Sequence, residues 1–188
     1  MLNVKIILGS TREGSLGKPV GQLVTELAKQ ESSWKVEVLD LKEWQLPLYN
    51  ESVTPKSRET FTNEVAKRWS DKITEGEAFI IVTPEYNHGY PASLKNALDW
   101  LFKEWNRKPV AFVGYGAAAG GARAIEQLRQ VVAELEMVSL RNHVLVPLVW
   151  QAFDAEGKPL NDHLAPSLKE MFTELTWWGE ALQVARTK

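Results

Sequence analysis

Between an apolar run at Val4–Leu8 and a helical pattern that opens near Pro19, the chain reads Gly9-Ser10-Thr11-Arg12-Glu13-Gly14-Ser15-Leu16-Gly17. A glycine-rich turn in that place offers an anion several backbone N–H groups and the positive end of a helix dipole. The hydroxyls of Ser10, Thr11 and Ser15 and the guanidinium of Arg12 add donors suited to a terminal phosphate, with its many acceptor oxygens and close to two charges. Two nucleotide loops fail on spacing. A dinucleotide fingerprint needs G-x-G-x-x-G, which Gly9, Gly14 and Gly17 do not give. A P-loop needs Lys and Ser/Thr after its second glycine, where Ser15 and Leu16 stand. The same residues also serve an ordinary turn and helix cap, so this loop alone leaves anion site and plain turn both open.

Two further segments carry unusual chemistry. After the run Ala78–Thr83 the chain reads Pro84-Glu85-Tyr86-Asn87-His88-Gly89-Tyr90-Pro91. Its prolines and glycine fix a shape, while its amide and aromatic groups suit the edges and face of a flat heteroaromatic ring. After Pro109–Tyr115 comes Gly116-Ala117-Ala118-Ala119-Gly120-Gly121, almost without side chains, so that backbone can approach a ligand closely.

The elements that must position these segments alternate short apolar runs with amphipathic stretches, the mark of βα units and a parallel sheet. Strands are expected at Val4–Leu8, Lys35–Asp40, Ala78–Thr83, Pro109–Tyr115 and somewhere in Val144–Val146. Helical faces are expected at Val20/Leu23/Val24/Leu27/Ala28, Phe61/Val65/Trp69, Leu94/Ala97/Leu98/Leu101, Ile125/Leu128/Val132/Leu135 and Leu164 through Leu182. Leu46–Pro55 reads as an irregular surface excursion. The expected architecture is a doubly wound α/β sheet of order 2-1-3-4-5 with helices on both faces. The order reverses between strands one and three, and ligands bind outside the carboxyl ends there. All three segments follow strands one, three and four, so they converge on one crevice.

Composition narrows the rest. The 188 residues suit one domain, 1–188, with a sizeable core. A net charge of −2, from 22 basic and 24 acidic residues, gives no footprint for nucleic acid and no polybasic membrane anchor. The absence of cysteine excludes disulfides, thiolate nucleophiles and Cys-held metals. His88, His143 and His163 show no metal-ligand spacing, and no metal is expected. Without a leader-like N-terminus or an apolar run of the ~20 residues that a membrane helix needs, the chain reads as cytoplasmic.

Gly9-Ser10-Thr11-Arg12, Thr83-Pro84-Glu85-Tyr86-Asn87 and Gly120-Gly121-Ala122-Arg123, in matching order from Val4 to about Val146, resemble the NADPH-dependent FMN reductase family, which includes quinone, chromate and azo-dye reductases. The resemblance implies a flavodoxin-like three-layer sandwich with FMN as cofactor. Its phosphate would sit among Ser10, Thr11, Arg12, Ser15, Leu16 and Gly17, and its isoalloxazine against Pro84, Glu85, Tyr86, Asn87, Tyr115 and Gly116. One departure stands out: many members carry Asn where this chain has Gly17. The implied reaction passes a hydride from NADPH or NADH through FMN to a quinone, free flavin or similar small acceptor. It needs no catalytic side chain, because the cofactor carries the chemistry. His88 and Tyr90 are the substrate-side candidates. Glu85 is expected to order its loop or a subunit contact, and Arg123 to meet substrate phosphates or cap its helix. The resemblance also implies a homodimer or homotetramer, and Trp100 and Trp105 are candidate interface residues. The other readings are a flavodoxin-type electron carrier without its own NAD(P)H turnover and a non-enzymatic anion-binding regulator.

Overall fold

The computed structural model describes residues 1–187. Five strands, β1 (Leu2–Leu8), β2 (Trp34–Asp40), β3 (Ala78–Pro84), β4 (Pro109–Tyr115) and β5 (Val138–Val146), form one sheet of order β2-β1-β3-β4-β5. Every pairing is parallel. The helices are α1 (Gly17–Ala28), α2 (Leu41–Trp44), α3 (Glu64–Glu75), α4 (Ala92–Asp99), α5 (Ala122–Glu134) and α6 (Leu164–Arg186).

Side chains alternate across the strands. Val4, Ile6, Ile80, Val82, Ala111 and Val113 pack with α1 and α6 on one face. Ile7, Phe79, Ile81 and Phe112 pack with α2 through α5 on the other. Central strands covered on both sides have no reason to alternate in polarity, and β3 and β4 are buried at every position. This explains the unbroken apolar run that marks β3 in the sequence.

On the second face Trp69 is wholly buried, with rings of Trp44 and Trp105 at 5.2 and 6.4 Å and its indole N–H donated to Ala97 O at 2.9 Å. Also toward that face, the ammonium of Lys5 is buried and pairs with Glu37, its register partner, and with Glu75 at 2.9 Å.

Several local expectations need correction. Trp100 and Trp105 are 1% and 0% exposed, so neither reaches an interface. Both indole N–H groups find carbonyls inside the chain, at Pro47 and Leu98. Trp177, within the helical stretch Leu164 through Leu182, is 63% exposed. Phe61 lies before α3, which begins at Glu64 because the Asn63 side chain accepts from Ala66 N at 3.0 Å. β5 extends far beyond Val144–Val146. Its register slips opposite Val110–Phe112 and its burial is irregular, which blurs its pattern in sequence. Asp40 caps the short α2, which the sequence reading leaves unassigned.

Candidate cofactor site

The carboxyl ends of β1, β3 and β4 lie side by side, so the three loops that follow them share one edge of the sheet. The first leaves β1 at Gly9, whose N–H donates to Val82 O at 2.9 Å and whose carbonyl accepts from Ser93 Oγ at 2.8 Å. A Cβ at Gly9 would lie 3.2 Å from Leu94, so the chain passes tightly under α4 before turning. α1 then starts with no side-chain cap at Leu16, and Gly17 N donates to Ser15 Oγ at 3.2 Å. Arg12 is exposed, and its guanidinium has no ion-pair partner among the described residues. A cavity of about 870 Å³ opens here, lined by Ser10, Arg12, Ser15 and Tyr115, and continues past Lys18 toward Asp40 at the end of β2.

The second loop is a tight hairpin. Tyr86 and Gly89 exchange two backbone hydrogen bonds of 2.8 and 3.0 Å around Asn87 and His88, with φ of +49° and +70°. That is the signature of a type I′ turn, which favours Asn at its first central position and usually Gly at the second. His88 therefore carries backbone strain that something must offset. Gln127 Nε2 donates to its carbonyl at 2.9 Å, and Arg123 Nη1 lies 2.8 Å from its Nε2. Since Arg123 can only donate, His88 Nε2 is the acceptor in this contact, which assigns the ring N–H to Nδ1. The Asn87 amide has no hydrogen-bond partner among the described residues and faces outward, exposed.

Glu85 fixes this turn to the third loop. Its carboxylate accepts from Arg123 N at 3.0 Å and from the Arg123 guanidinium, while its own N–H donates to Tyr115 O at 3.1 Å. Glu85 thus orders its loop, and its carboxylate, rather than the Arg123 side chain, accepts from the first turn of α5. Burial alone would raise the Glu85 carboxyl, but the Arg123 hydrogen bonds outweigh it and hold the group below its ordinary 4.5. The native state then binds fewer protons than the unfolded chain near that value. The contribution is complete above about pH 4.5 and is lost as pH falls through the lowered native value. In acid titrations followed by circular dichroism, Glu85→Gln is expected to be less stable than wild type at neutral pH. That gap should narrow below about pH 4.5, and a gap constant with pH would remove the ionised carboxylate from this role.

The third loop turns through Gly120 and Gly121, both with positive φ, into α5. Its backbone is tied to the end of β5 by Gly116 N to Val146 O at 3.2 Å and Leu148 N to Ala117 O at 3.1 Å.

The predicted residues fall into distinct groups. Ser10 Oγ meets Tyr86 Oη at 2.9 Å, and Ser15 Oγ meets Tyr115 Oη at 3.2 Å, joining the first loop to the other two. The backbone of Pro84 and Gly116 lies at the same edge, with Gly116 beside Glu85 Cβ. Thr11 faces away, into a separate cavity with Ala92 and Asn96, and Leu16 is exposed. Tyr90 is half-buried against the second core, and burial pushes its phenol up. Sequence reasoning missed Ser93 and Gln127, which grip the first and second loops. Neither carries a motif, and only the helical periodicity that brings them to these loops hints at a role.

These donors fit a flavin mononucleotide. Two hydroxyls and an unpaired guanidinium surround the first loop, and a ligand's flat ring could lie along Tyr86, Asn87 and the side-chain-poor third loop.

A family model described as NADPH-dependent FMN reductase matches residues 2–151. An NAD(P)H-dependent FMN reductase of Schizosaccharomyces pombe is 41% identical over 135 residues, covering 71% of this chain and 67% of that protein. A quinone reductase of Pseudomonas putida is 31% identical over 183 residues, covering 94% of each. Among solved structures, the flavoenzyme NAD(P)H:(acceptor) oxidoreductase FerB of Paracoccus denitrificans superposes with a TM-score of 0.77 at 25% identity, covering 96% of this chain and 98% of that one.

Proposed function

The chain belongs to the NADPH-dependent FMN reductase family, and from that premise we propose which residues hold FMN and how they serve its reaction. The protein is an FMN-dependent oxidoreductase that moves a hydride from NAD(P)H to a quinone or flavin acceptor. When bound, FMN would supply the redox chemistry of this transfer, and the residues below would hold it.

The observation that carries the site assignment is the unpaired Arg12 beside the Ser10 and Ser15 hydroxyls at the mouth of an open cavity. Arg12 neutralises the phosphate, and Ser10, Ser15 and the first amides of α1 donate to it. Thr11, Leu16 and Gly17 contribute backbone to the same cradle. Pro84, Glu85, Tyr86 and Asn87, with the backbone at Tyr115 and Gly116, form the ring's side, and the free Asn87 amide meets its polar edge. Glu85 acts by holding this wall through Arg123. His88, with its Nδ1–H unengaged by Arg123, and Tyr90 stand on the substrate side. No side chain is asked to act as acid, base or nucleophile. Nicotinamide and acceptor use the same open face in turn, a ping-pong order.

One sheet with a core on each face supports reading 1–188 as a single domain. We further propose a homodimer or homotetramer. Exposed Leu148, Trp150 and Leu160, on the chain that follows the third loop's anchor strand, support an interface near the site. No helix among the described residues is long and apolar enough to cross a membrane, and we place the enzyme in the cytoplasm.

Purified protein is expected to carry or take up FMN and to oxidise NADPH or NADH with a quinone acceptor. Parallel-line kinetics in double-reciprocal plots would mark the ping-pong order. Turnover only with a partner reductase would make the chain an electron carrier, and protein that takes up no FMN would sink the flavoenzyme reading. Arg12→Ala is expected to weaken FMN about tenfold or more, the worth of a hydrogen bond to a charged group. Unchanged affinity would remove Arg12 from the site.

A further inference from the structure

Tyr115 ends β4 with its phenol turned back across the sheet edge, away from the loop it introduces. The ring lies directly on the first residue of α1. A Cβ built on Gly17 would stand 2.1 Å from Tyr115 Oη and 2.3 Å from its Cζ, so only glycine admits the phenol there. The hydroxyl sits 3.2 Å from Ser15 Oγ, and Ser10 lines the same cavity. Both serines belong to the proposed phosphate cradle, and Tyr115 lines the cavity beside Arg12. The side chain is only 5% exposed and packs with the core beneath α1.

From this geometry we infer that the Tyr115 hydroxyl is a ligand of the cofactor's phosphate, and that with Gly17 it makes the site select phosphorylated flavin over riboflavin. The inference rests on the flavin reading above and moves Tyr115 from the ring's side of the site to the phosphate's. A buried phenol is a rigid donor, with two torsions fixed by packing before any ligand arrives. Burial pushes its ionisation up, against the lowering pull of Ser15, Ser10 and Arg12, so it stays protonated at neutral pH and can donate to a dianion. Ser10 and Ser15 already hydrogen-bond tyrosine hydroxyls, Tyr86 and Tyr115 respectively. The Ser15–Tyr115 pair can reorient its protons toward an acceptor placed beside it in the cavity. Riboflavin lacks that acceptor and gains nothing from the arrangement.

The test is a pair of fluorescence titrations, FMN and riboflavin, on apoprotein of wild type and Tyr115→Phe. Loss of the hydroxyl alone is expected to weaken FMN about 10- to 100-fold and to leave riboflavin within about twofold. Equal losses for both flavins would return Tyr115 to the ring and overturn the inference, as would unchanged FMN affinity. A second series tests the pairing with Gly17. Gly17→Ala should displace the phenol and weaken FMN in the wild-type background, yet cost little more in the Tyr115→Ala background, where the clash is gone. Additive losses would overturn the pairing. Wild-type protein that binds neither flavin would instead sink the flavin reading, and this inference with it.

Discussion

Gly121→Ala is expected to lower the melting temperature by roughly 6–12 °C and to weaken FMN uptake in the same protein. Gly121 sits at φ +93° at the start of α5, and a Cβ there would stand 2.6 Å from both Gly114 Cα and Tyr115 N. The obstacle is backbone of a central strand, which cannot rotate away as a side chain would. The methyl meets both the left-handed penalty of about 1–2 kcal/mol and the cost of separating α5 from β4. A total of about 3 kcal/mol or more follows, and for a chain of this size each kcal/mol moves the midpoint about 2–4 °C. Flavin uptake suffers because the same contact sets Tyr115, Gly116 and, through Arg123, Glu85. Calorimetry and an FMN titration check both halves. A midpoint within about 2 °C of wild type would show that the α5–β4 approach is slack.

Trp69→Ala should produce a loss of comparable or greater size with the opposite functional signature. Removing a fully buried indole costs about 3–5 kcal/mol through lost transfer free energy and the cavity left behind, or roughly 6–20 °C here. Trp69 also abandons its contacts with Trp44 and Trp105 and leaves Ala97 O without the indole donor. It touches none of the three loops. Below the transition, FMN affinity should stay within about twofold of wild type. A large affinity loss in a still-folded variant would reveal coupling from α3 and α4 into the first loop, through Ser93 and Gly9.

The architecture was legible where burial is two-sided and local. Ala78–Thr83 announces a central strand because no face of it meets water, and helix faces such as Val20/Val24 or Ile125/Leu128/Val132 follow from spacing alone. β5 was legible only at its end, Val144–Val146, because an edge strand with a slipped register keeps neither strict alternation nor an unbroken apolar run. Trp100 and Trp105 misled for a related reason: a tryptophan's position after a helix gives its place in the chain, while its burial depends on distant carbonyls at Pro47 and on neighbours such as Phe79.

For the site, the motifs named the three loops but not the joints between them. The Ser10–Tyr86 and Ser15–Tyr115 contacts span 76 and 100 residues, and no local pattern records which hydroxyl will meet which. The Glu85–Arg123 pair was visible as two charged residues with several possible roles each. Only the juxtaposition of the second loop with the start of α5 brings the two side chains together.

Those long spans bear on how the protein reaches its working state. The cradle exists only once β1, β3 and β4 are aligned, since a single step of slippage would carry Tyr86 and Tyr115 away from their serines. Contacts so distant along the chain form late, after the entropy of closing large loops has been met. Cofactor capture is therefore a checkpoint on completed assembly rather than a seed for it. A flavin bound across the three loops stabilises the native ensemble in proportion to the logarithm of its concentration over its dissociation constant. Flavin supply then sets how long each copy survives proteolysis, as well as how many copies are active.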